Sequence, residues 1–287
     1  MPHPLTQQRI LVAGASGVLG RAFLSRAIAA GHEVSGMSRS ERGAERISAL
    51  GATPIRADAL DHTQVFRAVT ASSPDTVVNL LTDLSAGDSR SNAALRAMGT
   101  LNLTDAARAA GVHRFVAASI AWVCPASRSL ATEQSPLDLG ATEPRRTTIV
   151  GVQALERGVR SLRTGVVLRF GQLYGEHTWF ARDGLFAEAA RAGLLEATET
   201  VTSFTHVADA AAALVLALDW PAGTWNVVDD DPAPGTEWVP RFAREIGAPP
   251  PAHSTSGDIG RPVSNRLARE QGLRLQHPSW RDGFLPR

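Results

Sequence analysis

The chain has 287 residues, 44% of them apolar, with 29 basic against 28 acidic residues and a net charge of +1. That is enough chain for one large or two modest domains with a core that needs no disulfide, and too little net charge to gather nucleic acid or anionic lipid. Every basic residue is Arg; there is no Lys, one Tyr (Tyr174) and one Cys (Cys124), which excludes a Schiff base, a P-loop lysine, a Tyr–Lys proton relay, an intramolecular disulfide and a cysteine zinc site.

Residues 1–9 are short and polar and carry no signal-peptide pattern, and no apolar run approaches the ~18 residues of a membrane span, so a cytoplasmic protein is expected. Strand-like and helix-like segments then alternate. Arg9–Ala13 reads as a strand, Arg21–Ala30 as a helix, His32–Met37 as a strand and Arg42–Leu50 as a helix stopped by Gly51. Pro54–Ala57 (strand), His62–Ala71 (helix), Thr76–Leu81 (strand) and Asn92–Ala110 (a long helix closed by Gly111) follow. Arg114–Ser119 is the next strand, Thr147–Leu162 a helix and Gly165–Phe170 a sixth strand. The alternation predicts a parallel sheet with helices on both faces, an α/β doubly wound class whose ligands bind beyond the carboxyl ends of the strands. After Phe170 the pattern loosens: Trp179–Gly193 and Asp209–Leu218 read as helices, Thr224–Val228 as a strand, and the Pro-, Gly- and Arg-rich chain from Pro232 as irregular. The expected organisation is a Rossmann-like dinucleotide-binding part, 1–172 completed by about 204–230, and a small, discontinuous substrate-binding part, 173–203 and 231–287.

Between the first strand and helix stands Gly14-Ala15-Ser16-Gly17-Val18-Leu19-Gly20. Gly14 permits the tight turn, Gly17 lets backbone approach a pyrophosphate, and Gly20 lets helix and strand pack closely; the N–H groups opening the helix face the phosphates. An acidic residue ~20 positions on would hold a ribose 2′-hydroxyl; this chain has Ser38-Arg39-Ser40, suited to a 2′-phosphate, so NADP is favoured over NAD. Asp58 and Ala59, after the third strand, are candidate adenine contacts, and Leu80, Leu81 and Thr82, after the fourth, complete the candidate cofactor set with Ser16, Val18 and Leu19.

Taken together, these segments make the chain resemble the short-chain dehydrogenase/reductase superfamily, in its extended, epimerase/dehydratase-like branch. The resemblance runs over about residues 9–250 and rests on GASGVLG at Gly14, ADALD at Ala57, VVNLL at Val77, RFVAASIAWV at Arg114, VLRFGQLYG at Val167, HVADAA at His206 and TWNVVDDDP at Thr224. It implies catalysis by a Ser or Thr and a Tyr-x-x-x-Lys pair. Counting back from Glu156, Thr148 stands at the Tyr position and Val152 at the Lys position, so the relay is absent. For the serine two readings stand: Ile120 has replaced it, if the family's serine is the one nearer the following turn, or Ser119, at the end of the fifth strand, remains.

The acid/base candidates are therefore Ser119, Tyr174, His177 and Asp83, each following a strand, with Trp122, Thr148, Trp179 and His206 as candidate substrate contacts. Asp209 reads as an N-cap, and no His and acid spacing matches a metal motif. Two functions fit. One is an atypical NADP(H)-dependent oxidoreductase acting on a small organic molecule, a natural-product intermediate in a GC-rich bacterium, such as an aromatic carbonyl compound whose reduction needs little acid assistance. The other is an NADP-binding protein of the same fold doing non-redox chemistry (cyclisation, dehydration, isomerisation) or sensing redox state. A homodimer through helices 92–110 and 147–162 is expected, with no nucleic-acid or membrane partner.

Overall fold

The computed structural model describes residues 7–82 and 89–285. Eleven strands are present there: β1 (Arg9–Ala13), β2 (Glu33–Ser38), β3 (Thr53–Arg56), β4 (Thr76–Asn79), β5 (Arg114–Ile120), β6 (Gly165–Phe170), β7 (Gln172–Tyr174), β8 (Val201–Thr202), β9 (Phe204–His206), β10 (Gly223–Val227) and β11 (Ala233–Pro234). The helices are α1 (Val18–Ala29), α2 (Glu41–Ala49), α3 (His62–Ser72), α4 (Ser89–Ala94), α5 (Thr100–Ala109), α6 (Arg145–Arg160), α7 (Leu185–Arg191), α8 (Val207–Leu216), α9 (Gly235–Ile246) and α10 (Arg266–Glu270). None of the described helices is long and apolar enough to cross a membrane.

Seven strands form one sheet in the order β10-β6-β5-β4-β1-β2-β3, and the β1·β2, β1·β4, β2·β3 and β4·β5 pairs are parallel. This is the expected Rossmann-like fold. Its inner strands are continuous apolar runs because both faces are covered: Leu11, Val12, Val77, Val78, Val116 and Ala117 are all fully buried. The strand order reverses between β1 and β4, and the carboxyl ends of these two strands open the crevice in which such sheets hold ligands.

The chain divides into two compact units: 1–119, 139–168 and 211–224 form the first, and 120–138, 169–210 and 225–287 the second. Residues 120–138, 169–172, 204–210 and 225–230, expected with the first part, group with the second. The first unit is built on mostly aliphatic packing around Val65, Leu103, Leu155 and Val159, with Phe115 among them. The second is built on aromatic rings: Tyr174, Phe180, Phe204, Trp238, Phe242, Trp280 and Phe284.

Three elements depart most from the sequence reading. The long helix of 92–110 is interrupted by a π-helical turn, Leu95–Gly99, between α4 and α5. The helix expected over 179–193 begins only at Leu185: Trp179–Gly184 is a run of turns, and a Cβ on Gly184 would lie 2.4 Å from the Trp179 carbonyl oxygen. The chain after Pro232 is not irregular throughout. It contains α9, whose Trp238, Val239, Phe242 and Ile246 fall on one buried stripe despite Pro240.

Candidate active site

In the first unit, β1 delivers the chain into the glycine turn. Gly14 has φ +82°, and a Cβ there would lie 2.6 Å from the Leu80 carbonyl oxygen, so turn and crevice wall meet only because this residue has no side chain. A Cβ on Gly20 would meet the Gly14 oxygen at 2.3 Å. Gly17 is the N-cap of α1 and supplies no side-chain acceptor, which leaves the N–H groups of the first turn for an anion. A cradle that excludes its own side chains and presents helix N–H groups fits the pyrophosphate of a dinucleotide.

At the end of β2 no carboxylate stands among Ser38-Arg39-Ser40; the next one along the chain, Glu41, is paired with Arg56, which also donates to the Arg39 carbonyl oxygen at 3.3 Å. The two serines are used locally. Ser38 Oγ donates to the Ser40 carbonyl oxygen at 3.2 Å, and Ser40 Oγ caps α2 by accepting from Gly43 N–H at 3.1 Å. Arg39 is exposed. Asp58 forms a turn, accepting from Leu60 N–H through Oδ1 at 2.9 Å, and Asn102 holds the Ala59 carbonyl oxygen at 2.9 Å. Leu80 is buried, Leu81 half-buried and Thr82 exposed.

Ser119 is buried, and its Oγ donates to Glu156 Oε1 at 2.9 Å. Glu156, fully buried on α6, also accepts from Arg160 at 2.5 Å. Ser119 thus spends its proton on a carboxylate and offers a reacting group only its lone pairs. Thr148 is half-buried and Val152 fully buried on the same helix. Asp83 lies outside the described residues.

In the second unit, Tyr174 ends β7 at 1% exposure, edge-on to Phe204, His206 and Phe284, and its hydroxyl has no hydrogen-bond partner among the described residues. Burial, and then Asp229, Asp209 and Asp282, push its pKa above the ordinary phenol value, so it holds its proton. His206 Nδ1 accepts from Ala208 N–H at 3.2 Å, and its ring stacks on His277 at 3.6 Å. His177 is exposed with φ +62°; Trp122 is exposed, and Trp179 is half-buried edge-on to Phe186. Structure therefore joins Tyr174 to His206, while His177 stands in its own turn. Asp209 is not an N-cap. It lies within α8, and its two oxygens accept from the N–H groups of Gln276 and His277 at 2.8 and 2.9 Å, pinning the extended C-terminal segment.

Several polar groups were missed by sequence reasoning. Asn79 Nδ2 donates to Thr100 Oγ1 at 2.9 Å while its Oδ1 accepts from Leu81 N–H at 3.1 Å, which shapes the carboxyl end of β4. Asp229 is buried, accepts from Trp280 N–H at 3.0 Å, and is pushed by burial up to about 7. Arg96 lies in the π turn at 5% exposure, and burial lowers its guanidinium to about 10. The legible signal for Arg96 was its spacing: Asn92, Arg96 and Thr100 recur at i, i+4, i+8, a polar stripe on the face that is buried. No group of three metal-ligating side chains occurs among the described residues.

Comparison with known proteins agrees with this geometry. The model of the "NAD dependent epimerase/dehydratase family" matches residues 10–227. A 3-diazoavenalumate denitrifying reductase from a Streptomyces species is 40% identical over 304 residues, covering 96% of this chain and 99% of that one. Among solved structures, the UDP-glucose 4-epimerase of Thermus thermophilus, complexed with NAD, is 25% identical with a TM-score of 0.74, over 93% of this chain and 94% of that one. A short-chain dehydrogenase/reductase superfamily protein from Agrobacterium tumefaciens with bound NAD is also 25% identical, with a TM-score of 0.72 over 93% and 92%. The superfamily resemblance read from the motifs holds.

Proposed function

Because the chain belongs to the NAD dependent epimerase/dehydratase family, we propose that it is an atypical NADP(H)-dependent oxidoreductase that reduces a small aromatic diazo compound with loss of dinitrogen. The observation that carries this reading is the poverty of protons at the site. The chain has no Lys, its one Tyr is sealed in an aromatic core without a hydrogen-bond partner among the described residues, and the Ser119 proton is engaged by Glu156. Reduction of an unactivated carbonyl needs an acid at the oxygen. Bound NADPH supplies a hydride, so a neutral 2-diazophenol plus NADPH balances to the phenolate, N2 and NADP+: the C–N bond breaks, a C–H bond forms, and no protein acid is consumed. The 40% identical relative is a denitrifying reductase, which supports the same class of reaction here.

The residues then bind and exclude water rather than relay protons. The Gly14–Gly20 cradle and the N-terminus of α1 take the pyrophosphate. Arg39 supports NADP over NAD, because a guanidinium pairs bidentately with a 2′-phosphate and the next carboxylate along the chain, Glu41, is already tied to Arg56. Asp58, with one oxygen in its turn, has the other for the adenine amine. Ser119, held by Glu156, presents an acceptor of fixed direction.

The test is NADPH oxidation by the purified protein with the 3-diazo derivative of 4-hydroxybenzoate, against an enzyme-free control. The expected result is mole-for-mole consumption of NADPH, release of N2 and formation of 4-hydroxybenzoate, with the label of deuterated NADPH on the ring. NADPH that binds without being consumed by diazo or carbonyl compounds would move the protein to the non-redox or redox-sensing reading. Failure to bind either nucleotide would remove the cofactor.

A further inference from the structure

Arg96 is the most unusual charge in the first unit. It is 5% exposed, and its guanidinium has no hydrogen-bond or ion-pair partner among the described residues. A buried cation without a counter-charge is costly, and groups perturbed in this way cluster at functional sites. It also stands in a π turn, an irregularity that recurs at functional sites.

The position of that turn is fixed. Thr100, on the same face one turn on, accepts from Asn79 at the carboxyl end of β4. At Gly99 a Cβ would lie 3.1 Å from Leu81 and 3.7 Å from Ala59, so the segment presses on the residues that end β4 and follow β3. The π turn that carries Arg96 therefore packs beside the strand ends where the cradle lies. Its neighbours on the stripe, Asn92 and Thr100, are neutral, and no charge among the described residues acts on it.

We propose that Arg96 is the oxyanion receptor of this site, pairing with the substrate oxygen that is conjugated to the diazo carbon and carries the negative charge once the C–N bond has broken. The proposal rests on the diazo reading above and deepens it. In the balanced reaction the charge of the hydride ends on the phenolate oxygen. A guanidinium that meets that oxygen stabilises the product-like charge without giving up a proton, the task a Tyr–Lys pair performs with one. The planar fork suits an aryl oxygen flanked by a second acceptor, and the low hydration of Arg makes its burial less costly than that of Lys.

Three diazo probes and one spectroscopic probe test this, using Arg96→Met, Arg96→Gln and Arg96→Lys checked for folding by thermal melting. With the 3-diazo derivative of 4-hydroxybenzoate and with 2-diazophenol, Arg96→Met is expected to lose about 100-fold or more in kcat, the usual cost of one oxyanion donor. With 3-diazobenzoate, which lacks the conjugated oxygen, it should lose less than about threefold. The turnover-independent readout is 4-nitrophenol added to the protein–NADP+ complex. Wild type should lower the phenol's apparent pKa by about one unit or more, Arg96→Met and Arg96→Gln should not, and Arg96→Lys should restore part of the shift. A loss confined to the carboxylate-bearing probes would make Arg96 a carboxylate receptor and overturn the assignment. So would a tenfold weakening of NADPH binding in Arg96→Met, which places the anion on the cofactor, or a nitrophenol titration identical in wild type and variants. An Arg96-dependent nitrophenol shift in a protein that reduces none of the diazo probes would leave the oxyanion receptor standing and refute the diazo reading alone.

Discussion

Tyr174→Phe separates a structural phenol from a chemical one. The ring lies 5.0 Å from His206, 5.7 Å from Phe284 and 6.3 Å from Phe204, all edge-on, and phenylalanine keeps each of these contacts. What the substitution removes is a hydroxyl buried without a partner among the described residues. Leaving such a group unpaired costs about 1–3 kcal/mol, and the small void left by the oxygen takes back part of the gain. The variant is therefore expected to be about 1 kcal/mol more stable than wild type, close to 2 °C in Tm for a chain of this size. Turnover should stay within about twofold, because a phenol whose pKa is raised by burial gives up its proton reluctantly. Urea unfolding and NADPH oxidation read the two quantities on the same preparation. A stability loss above about 1 kcal/mol would mean that the hydroxyl has a partner in solution. A fall in kcat of about 100-fold or more would make Tyr174 the proton donor and refute the proton-free reasoning.

Two further predictions follow from single side chains. Arg39→Ala should weaken NADPH binding by about 10- to 100-fold, the worth of a charge-assisted pair, while NADH binding stays within about twofold; calorimetric titration of both nucleotides checks it, and an equal loss for the two would remove the 2′-phosphate assignment. Asp229 is held at about 7 by burial, well above an unfolded carboxyl, so between about pH 4 and pH 7 the folded state binds the extra proton. Stability should then fall as pH rises through that window, by up to about 1.4 kcal/mol per unit, and level off above pH 7. Asp229→Asn should flatten the dependence, measured as urea midpoints at pH 5 and pH 8, and a wild type that gains stability over the variant as pH rises would contradict it.

In the proposed chemistry the polar groups of the first unit give direction rather than protons. Glu156 is fully buried and stays tolerable because Ser119 and Arg160 both donate to it. The result is a fixed acceptor at the end of β5, not a mobile acid.

Local pattern alone determined much of this protein. The alternation of apolar runs with helical spacing predicted β1 to β6 and the parallel sheet, because each element's periodicity is a property of a few neighbouring residues. The glycine cradle was legible for the same reason: its backbone demands fall on three residues within one turn. The absence of Lys and the single Tyr were a matter of counting, and they constrained the chemistry before any fold was known. Tertiary structure decided what depends on distance through space. Ser119 meets Glu156 across 37 positions, and Asp209 holds Gln276 across 67, a partner that turned an expected cap into a clasp. Helix α9 was hidden by Pro234 and Pro240, whose local signals say turn, and it forms because its stripe packs into an aromatic core assembled from distant segments. Arg96 shows the same division: its spacing is written in the chain, but only the packing around it makes it a buried charge, because burial is set by what the rest of the molecule places against a side chain.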